Sequence, residues 1–238
     1  MNLTGGIAWH WLAWRSQARW ALTSKAIEKW LMTEAQAFKP DTDEGQPSLL
    51  LIGASAGWMM SSQWLGQFAR VDTFDIDPFA GKLFKWRHGA VLKAQNTELH
   101  CHTQDAMQNL PALLSNHPKA CVFFDNLLGQ LRFQSPANDW QVVEKKLQQL
   151  KVTLKERQWG SVHDRMSGPT LETLVDAELP VRHSDWQDQR WLTELNAQSP
   201  WLDHLTHHIF PKGVAVQDFA WNFSPRYRHW LQAAWVRP

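Results

Sequence analysis

The stretch from Ser48 to Asp77 constrains the fold of this chain more than any other. It opens with the apolar run SLLLI, which ends at Gly53 in a turn of small residues, GASAG. A helical pattern follows, and then a second apolar run that ends in the carboxylates Asp75 and Asp77. A strand, a glycine-containing turn, a helix and a second strand ending in an acid form the nucleotide-binding half of a doubly wound α/β sheet.

The residue types of this segment suit a ligand that contains a ribose. Small residues such as Gly53 and Gly57 let backbone N–H groups approach a ligand at the positive end of a helix. A carboxylate about 20 residues further on, here Asp75, can accept both hydrogen bonds of a ribose diol. The segment therefore predicts a protein that binds a small cofactor.

Composition sets broader limits on the chain. With 238 residues and a formal net charge of +1, it fits one domain with an appendage and gives no global argument for nucleic-acid or membrane binding. There is no apolar stretch of about 18 residues and no pattern of a secretory signal near the N-terminus. Cys101 and Cys121 fall in different predicted strands, so we expect reduced thiols and a cytoplasmic protein.

Residues 8–32 have the pattern of an amphipathic helix, with one apolar and one basic face. The apolar face comprises Trp9, Leu12, Ala13, Trp20, Ile27, Trp30 and Leu31. The basic face comprises Arg15, Arg19, Lys25 and Lys29. We interpret this segment as a helix docked on a sheet, the alternative being a basic face that contacts lipid or nucleic acid. The polar residues 39–47 predict a boundary between a helical segment, 1–46, and a sheet domain, 47–238.

Strands and helices alternate after this boundary. We expect strands at 48–52, 70–75, 98–102, 120–124 and 159–162. We expect helices at 57–68, 78–88, 105–114 and 139–156, then at 185–195 and 200–209. The segments 213–221 and 229–236 predict a terminal hairpin. Alternation of this kind implies a parallel sheet with right-handed crossovers.

With these pieces in order, residues 48–162 resemble the class I S-adenosylmethionine-dependent methyltransferase superfamily. The resemblance implies a doubly wound, mostly parallel Rossmann-like sheet with N-terminal helices and a C-terminal antiparallel strand pair, in the order 3-2-1-4-5-7-6. It implies S-adenosylmethionine as cofactor, held by the following residues: Gly53, Ala54, Ser55 and Gly57 around its methionine part, Asp75 or alternatively Asp77 on its ribose, and Asp105 with Ala106 near its adenine.

The same resemblance implies that the loop after strand four faces the reacting methyl group. The candidate catalytic residues are Asp125, Asn126 and Gln130 in that loop and His163 and Asp164 after strand five. We expect Asn126 or Gln130 to position the acceptor and His163 or Asp125 to act as the base. The near-neutral charge and the lack of an Asn-Pro-Pro-Tyr motif favour a small-molecule acceptor over nucleic acid.

Several alternatives stay open. The GASAG turn also matches the Gly-x-Ser-x-Gly elbow of α/β-hydrolases, with Ser55 as nucleophile, Asp176 as acid and His183 or His204 as base. A third class is a non-catalytic scaffold with a degenerate cofactor pocket. Asp77 and Asp105 can also be explained as helix caps.

The histidine spacing gives little indication of a metal site. His204, His207 and His208 lie within about one helical turn, but there is no His-Glu-x-x-His motif and no third ligand nearby in sequence. We therefore expect no metal.

Overall fold

The computed structural model describes residues 6–36, 46–134, 140–170, 177–178, 181–184 and 201–238. The chain divides into two compact units, Met1–Asp125 and Asn126–Pro238. The N-terminal helix belongs to the first of these units together with four strands. The domain boundary that the sequence predicts at residue 46 stays a prediction.

The first unit is built on a parallel four-stranded sheet. Its elements are α1 (Gly6–Gln36), β1 (Ser48–Ile52), α2 (Ser62–Leu65), β2 (Arg70–Asp75), α3 (Ala80–Ala94), β3 (Glu98–Thr103), α4 (Leu110–Asn116) and β4 (Cys121–Asp125). The strands are ordered β3-β2-β1-β4 and all neighbours run parallel. Leu49 to Ile52 are buried, as is typical of a central strand of a parallel sheet that is covered on both faces.

The second unit is built on antiparallel strands. A 3₁₀ helix (Leu128–Gln134) is followed by α5 (Trp140–Thr153), β5 (Trp159–Pro169), β6 (Arg182–His183), β7 (Leu202–Asp203), β8 (Ala215–Ser224) and β9 (Tyr227–Val236). Strand β9 lies between β5 and β8 and pairs antiparallel with both, while β6 pairs with β8 and β7 pairs with β5.

The predicted fold class is confirmed. The described chain has a mostly parallel Rossmann-like sheet pattern, an N-terminal helix and a C-terminal antiparallel strand pair. Within the first unit the observed order is the predicted 3-2-1-4. Cys101 and Cys121 are free thiols. None of the helices in the described ranges is long and apolar enough to cross a membrane.

Helix α1 has the two faces that the sequence predicts. The predicted apolar face is buried or half-buried along the helix, most deeply at Ala13, Trp20, Ile27 and Leu31. The four basic residues of the other face are all exposed. The indole of Trp30 lies 6.5 Å from the ring of Phe123 on β4, so this helix packs on the sheet of its own unit.

The helix predicted at 78–88 continues to Ala94 and the one predicted at 105–114 begins at Leu110, and three further predictions are wrong. The helix expected at 57–68 is reduced to α2, because its start is fixed at Ser61, whose hydroxyl accepts the Trp64 N–H. The strand expected to end at residue 162 continues to Pro169, because β9 pairs with it throughout. Residues 201–209 are not helical, because Leu205 has a φ of 64° and its N–H bonds the Asp203 carboxylate. The helix expected at 185–195 lies outside the described residues.

Candidate functional site

The turn after β1 is folded in a conformation that suits small residues. Gly53, Ser55 and Gly57 have φ angles of 74°, 46° and 61°. At Gly57 a Cβ atom would lie 2.5 Å from His88 Nε2, so a larger residue does not fit. The Gly53 N–H donates to the Phe74 carbonyl on β2 at 2.9 Å, which ties the turn to the neighbouring strand. The geometry explains the glycines, and it leaves Ser55 as a strained position.

Asp75 joins the two parts of the predicted cofactor site. Its Oδ2 accepts the Ser55 N–H at 2.7 Å and its Oδ1 accepts the Asp77 N–H at 2.9 Å. A carboxylate offers about four acceptor positions, so two remain for a ligand at this half-buried residue. Burial raises the pKa of Asp75 above its ordinary value, although the two N–H bonds act in the opposite direction.

Asp77 has a structural function in the described chain. Its Oδ1 accepts the Phe79 N–H at 2.9 Å at the start of α3, and its Oδ2 accepts the N–H of Gly6 at the start of α1. Both oxygens are therefore used at helix ends, where a negative charge is stabilising. Of the two predicted ribose ligands, Asp75 keeps the greater accepting capacity.

The other predicted cofactor residues lie at the ends of strands or in the core. Asp105 follows β3, is exposed, and accepts the Met107 N–H at 2.9 Å and the Gln108 side-chain N–H at 3.1 Å. These two hydrogen bonds form a local turn, which agrees with the alternative interpretation of Asp105 as a helix cap. The side chains of Ala54 and Ala106 are buried, so only their backbone groups are suited to contact a ligand.

The first turn of α1 contacts these same residues, which the sequence did not reveal. Trp9 Nε1 donates to Ser55 Oγ at 3.1 Å. Trp58 Nε1 donates to His10 Nδ1 at 3.2 Å, and His10 Nε2 lies 3.2 Å from Asp77 Oδ2. No local pattern signals contacts between residues more than 40 positions apart. The start of α1 is therefore part of the candidate site in the first unit.

Asp125 is the last residue of β4, and the pKa of its carboxyl group is raised. Burial, followed by the negative charge of Asp75, raises the pKa of Asp125 to about 8. The carboxyl group is thus mostly protonated at neutral pH and can donate a hydrogen bond. A protonated acid at this position suits orientation of a ligand better than removal of a proton.

In the second unit, Asn126 and Gln130 both hold Asp164. Asn126 has a φ of 51°, its N–H donates to the Val162 carbonyl at 2.7 Å, and its Oδ1 accepts the Asp164 N–H at 3.0 Å. Gln130 Nε2 donates to Asp164 Oδ2 at 3.2 Å. The structure therefore brings three predicted catalytic residues together around one buried carboxylate.

Two histidines complete this cluster, and neither was predicted to do so. His229 Nδ1 lies 2.8 Å from Asp164 Oδ1. His204 Nδ1 lies 2.8 Å from the Gly129 carbonyl, and its Nε2 lies 2.9 Å from Ser167 Oγ. Burial alone would raise the pKa of Asp164, but the charge and hydrogen bond of His229 hold it below its ordinary value. Burial lowers the pKa of His204.

His163 lies elsewhere in the second unit. It is buried, its Nδ1 is 3.0 Å from Ser161 Oγ, and its ring packs 5.2 Å from that of Phe210. Burial lowers its pKa to about 3, so the imidazole is neutral. Adjacent residues of a strand point to opposite faces, which separates the side chain of His163 from that of Asp164. Arg165, which follows Asp164 on β5, is buried and ion-paired with Asp203.

In the described part of the chain, Ser55 Oγ accepts a hydrogen bond from Trp9 Nε1. His204, one of the two candidate bases of the hydrolase alternative, lies instead with its ring nitrogens at hydrogen-bond distance from the Gly129 carbonyl and Ser167 Oγ. Asp176 lies outside the described residues, and the side chain of His183 is not described.

No family model and no curated protein matches this chain. Solved structures similar to it include magnesium protoporphyrin IX methyltransferase from Synechocystis with bound S-adenosylhomocysteine, at 13% identity and a TM-score of 0.44, over 91% of this chain and 82% of that one. A SAM-dependent methyltransferase from Anabaena variabilis has 12% identity and a TM-score of 0.44, over 100% and 96% of the two chains. Another, from Thiobacillus denitrificans in complex with S-adenosylhomocysteine, has 12% identity and a TM-score of 0.38, over 88% and 91%. With identities of 12–13% and TM-scores below 0.5, these likenesses carry no argument about the family, ligand or activity of this chain.

Proposed function

We propose that this chain is a methyltransferase that uses S-adenosylmethionine, bound in the first unit. The observation that carries the proposal is the 2.7 Å hydrogen bond from the Ser55 N–H to the Asp75 carboxylate. It joins the glycine-containing turn after β1 to the acid that ends β2, which supports the prediction that both belong to one site. A turn of small residues beside a carboxylate with accepting capacity suits a nucleoside ligand.

The residues present fit this cofactor part by part. The remaining acceptor positions of Asp75 suit two ribose hydroxyls, and the small residues Gly53 and Gly57 leave room for the methionine part. Asp105 and the backbone of Ala106 would contact the adenine. The bound cofactor supplies an electrophilic methyl group on a sulfonium, so the protein's remaining tasks are to orient the acceptor and to take its proton.

We assign the orienting tasks to residues near the end of β4. Asp125, whose pKa is about 8, would donate a hydrogen bond to the acceptor, and the amides of Asn126 and Gln130 would fix its position. Asp164 is held ionised by its contact with His229, and we assign it the task of holding the side chains of Asn126 and Gln130. The buried, neutral His163 is better suited to support β5 than to contact a substrate.

We further propose a small-molecule acceptor and a cytoplasmic location. The net charge of +1 provides little of the electrostatic attraction on which nucleic-acid binding depends. The two free cysteines agree with a reducing compartment.

The test is transfer of labelled methyl groups from the cofactor to the small molecules of a cell extract. We expect wild-type protein to label one or a few compounds, and Asn126→Ala to label them about 100-fold more slowly because the acceptor is no longer oriented. The matched control is Asn96→Ala, since Asn96 also has a positive φ, of 60°, but lies exposed after α3. Equal rates for the two variants would contradict the role of Asn126. No labelling by any form, together with reaction of Ser55 with a fluorophosphonate, would favour the hydrolase instead.

A further inference from the structure

Three side chains of the second unit converge although they lie far apart in sequence. Asp164 is on β5, His204 follows β7, and His229 is on β9. One ligand-type atom of each, a carboxylate oxygen and two imidazole nitrogens, lies within 4.8 Å of the others. Asp164 and His204 are buried, and the side chain of His229 keeps 13% of its surface exposed. His229 therefore offers the route by which an ion reaches the cluster.

Hydrogen bonds around the cluster orient two of its members, His204 and Asp164, as a metal site requires. The Gly129 carbonyl can only accept, so His204 carries its proton on Nδ1 and has a lone pair on Nε2. A histidine that ligates a metal commonly donates its other N–H in this way. Gln130 holds the second oxygen of Asp164, which fixes the direction of the carboxylate.

The distances are also compatible with an ion. Ligand atoms about 2.0–2.2 Å from a metal lie about 3 Å apart when they are at right angles to each other. The observed separation between His229 Nδ1 and Asp164 Oδ1 is 2.8 Å. The Ser167 hydroxyl, now 2.9 Å from His204 Nε2, has a second partner in the Tyr227 hydroxyl at 3.2 Å and can turn its proton there. The lone pair of His204 is then available.

We propose that Asp164, His204 and His229 bind one divalent transition-metal ion. Two imidazoles and one carboxylate are the ligand set of many catalytic Zn²⁺ sites and of non-haem Fe²⁺ sites, and they leave coordination positions open for water or an oxygen atom of a ligand. No pattern in the sequence indicates this site, because only His204 belongs to a histidine-rich segment and its partners lie on β5 and β9. The proposal does not depend on S-adenosylmethionine binding.

The experiment uses Co²⁺, whose visible absorption reports the number and geometry of its ligands. Full-length protein is stripped with a chelator and titrated with Co²⁺, and bound metal is counted by elemental analysis. We expect one equivalent for the wild type, and loss of stoichiometric binding in Asp164→Asn and His229→Gln. His208→Gln is the matched control, because His208 is an exposed histidine in the same segment as His204. Removal of the supporting amide in Gln130→Ala should weaken binding about 10- to 100-fold.

Folding and cofactor binding are followed in the same samples. Circular dichroism shows whether each variant is folded. We expect His229→Gln to be the better tolerated of the two ligand variants, because the His229 side chain is partly exposed whereas that of Asp164 is buried. Calorimetry with S-adenosylhomocysteine measures cofactor binding to the first unit separately. The metal result therefore stands even if no cofactor binding is detected. The proposal is overturned if folded wild-type protein takes up no Co²⁺, or if His229→Gln binds it as well as His208→Gln does. Asp164 and His229 would then be a hydrogen-bonded pair only.

Discussion

Replacement of Gly57 by alanine tests whether the turn after β1 has the geometry described. Gly57 has a φ of 61°, and an added Cβ atom would lie 2.5 Å from His88 Nε2 and 2.9 Å from Phe84 Cε2. Both neighbours are buried. The His88 ring cannot move away easily, because its Nδ1 is 2.9 Å from Ser62 Oγ.

Two physical effects contribute to the expected loss of stability. A left-handed backbone costs an alanine about 1–2 kcal/mol relative to glycine. Insertion of a methyl group into a packed interior costs about 1–3 kcal/mol more. Gly57→Ala should therefore lower the free energy of unfolding by about 2–5 kcal/mol, a large part of the stability of an ordinary domain.

The assay is urea unfolding of Gly57→Ala beside Gly213→Ala. Gly213 has a similar φ of 84°, but nothing lies within 4 Å of the position of its Cβ atom. The control variant should lose only the backbone part, about 1–2 kcal/mol. Gly57→Ala should also bind S-adenosylhomocysteine more weakly, since the turn beside Asp75 is displaced. Equal losses of stability in the two variants would refute the packing described for Gly57.

Three further changes have outcomes that the structure fixes. Burial lowers the pKa of His88 to about 4, below the ordinary 6.5, so the unfolded chain takes up a proton at this residue before the folded chain does. The free energy of unfolding should therefore fall as the pH drops from 6.5 toward 4. This fall should be smaller in His88→Gln than in the exposed control His100→Gln. Burial raises the pKa of Asp125 to about 8, so the folded state keeps a proton that the unfolded chain loses. Asp125→Asn should therefore be as stable as wild type at about pH 4 and more stable at about pH 8.5. A gain in stability that does not depend on pH would contradict this pKa. Trp9→Phe removes the N–H bond to Ser55 Oγ and should lower the unfolding free energy by about 1 kcal/mol, whereas an unchanged value would show that the contact between α1 and the turn contributes nothing.

The elements that the sequence predicts well are those specified by local pattern. The run SLLLI is apolar because β1 is covered on both sides, and the acid at Asp75 ends β2 where the predicted strand ends. The amphipathic pattern of residues 8–32 identifies α1 and its buried face. These features depend on residues within one element, so neighbouring positions carry the information.

The features that the sequence did not predict depend on pairing between distant residues. Strand β5 continues past residue 162 because β9 pairs with it, and this places His163 inside a strand, on the face opposite Asp164. The cluster of Asp164 with His204 and His229 needs three elements to meet, which no spacing along the chain indicates. The contact of Trp9 with Ser55 has the same origin.

Calorimetric titration with S-adenosylhomocysteine tests the central claim most directly. We predict that the wild-type chain binds one equivalent and that Asp75→Asn binds at least about tenfold more weakly, because a hydrogen bond to a charged group contributes about 1.5–3 kcal/mol. Glu98→Gln makes the same acid-to-amide change at the exposed start of β3 and should bind like wild type. Absence of binding by the folded wild-type chain, or equal affinities for Asp75→Asn and Glu98→Gln, would contradict the account.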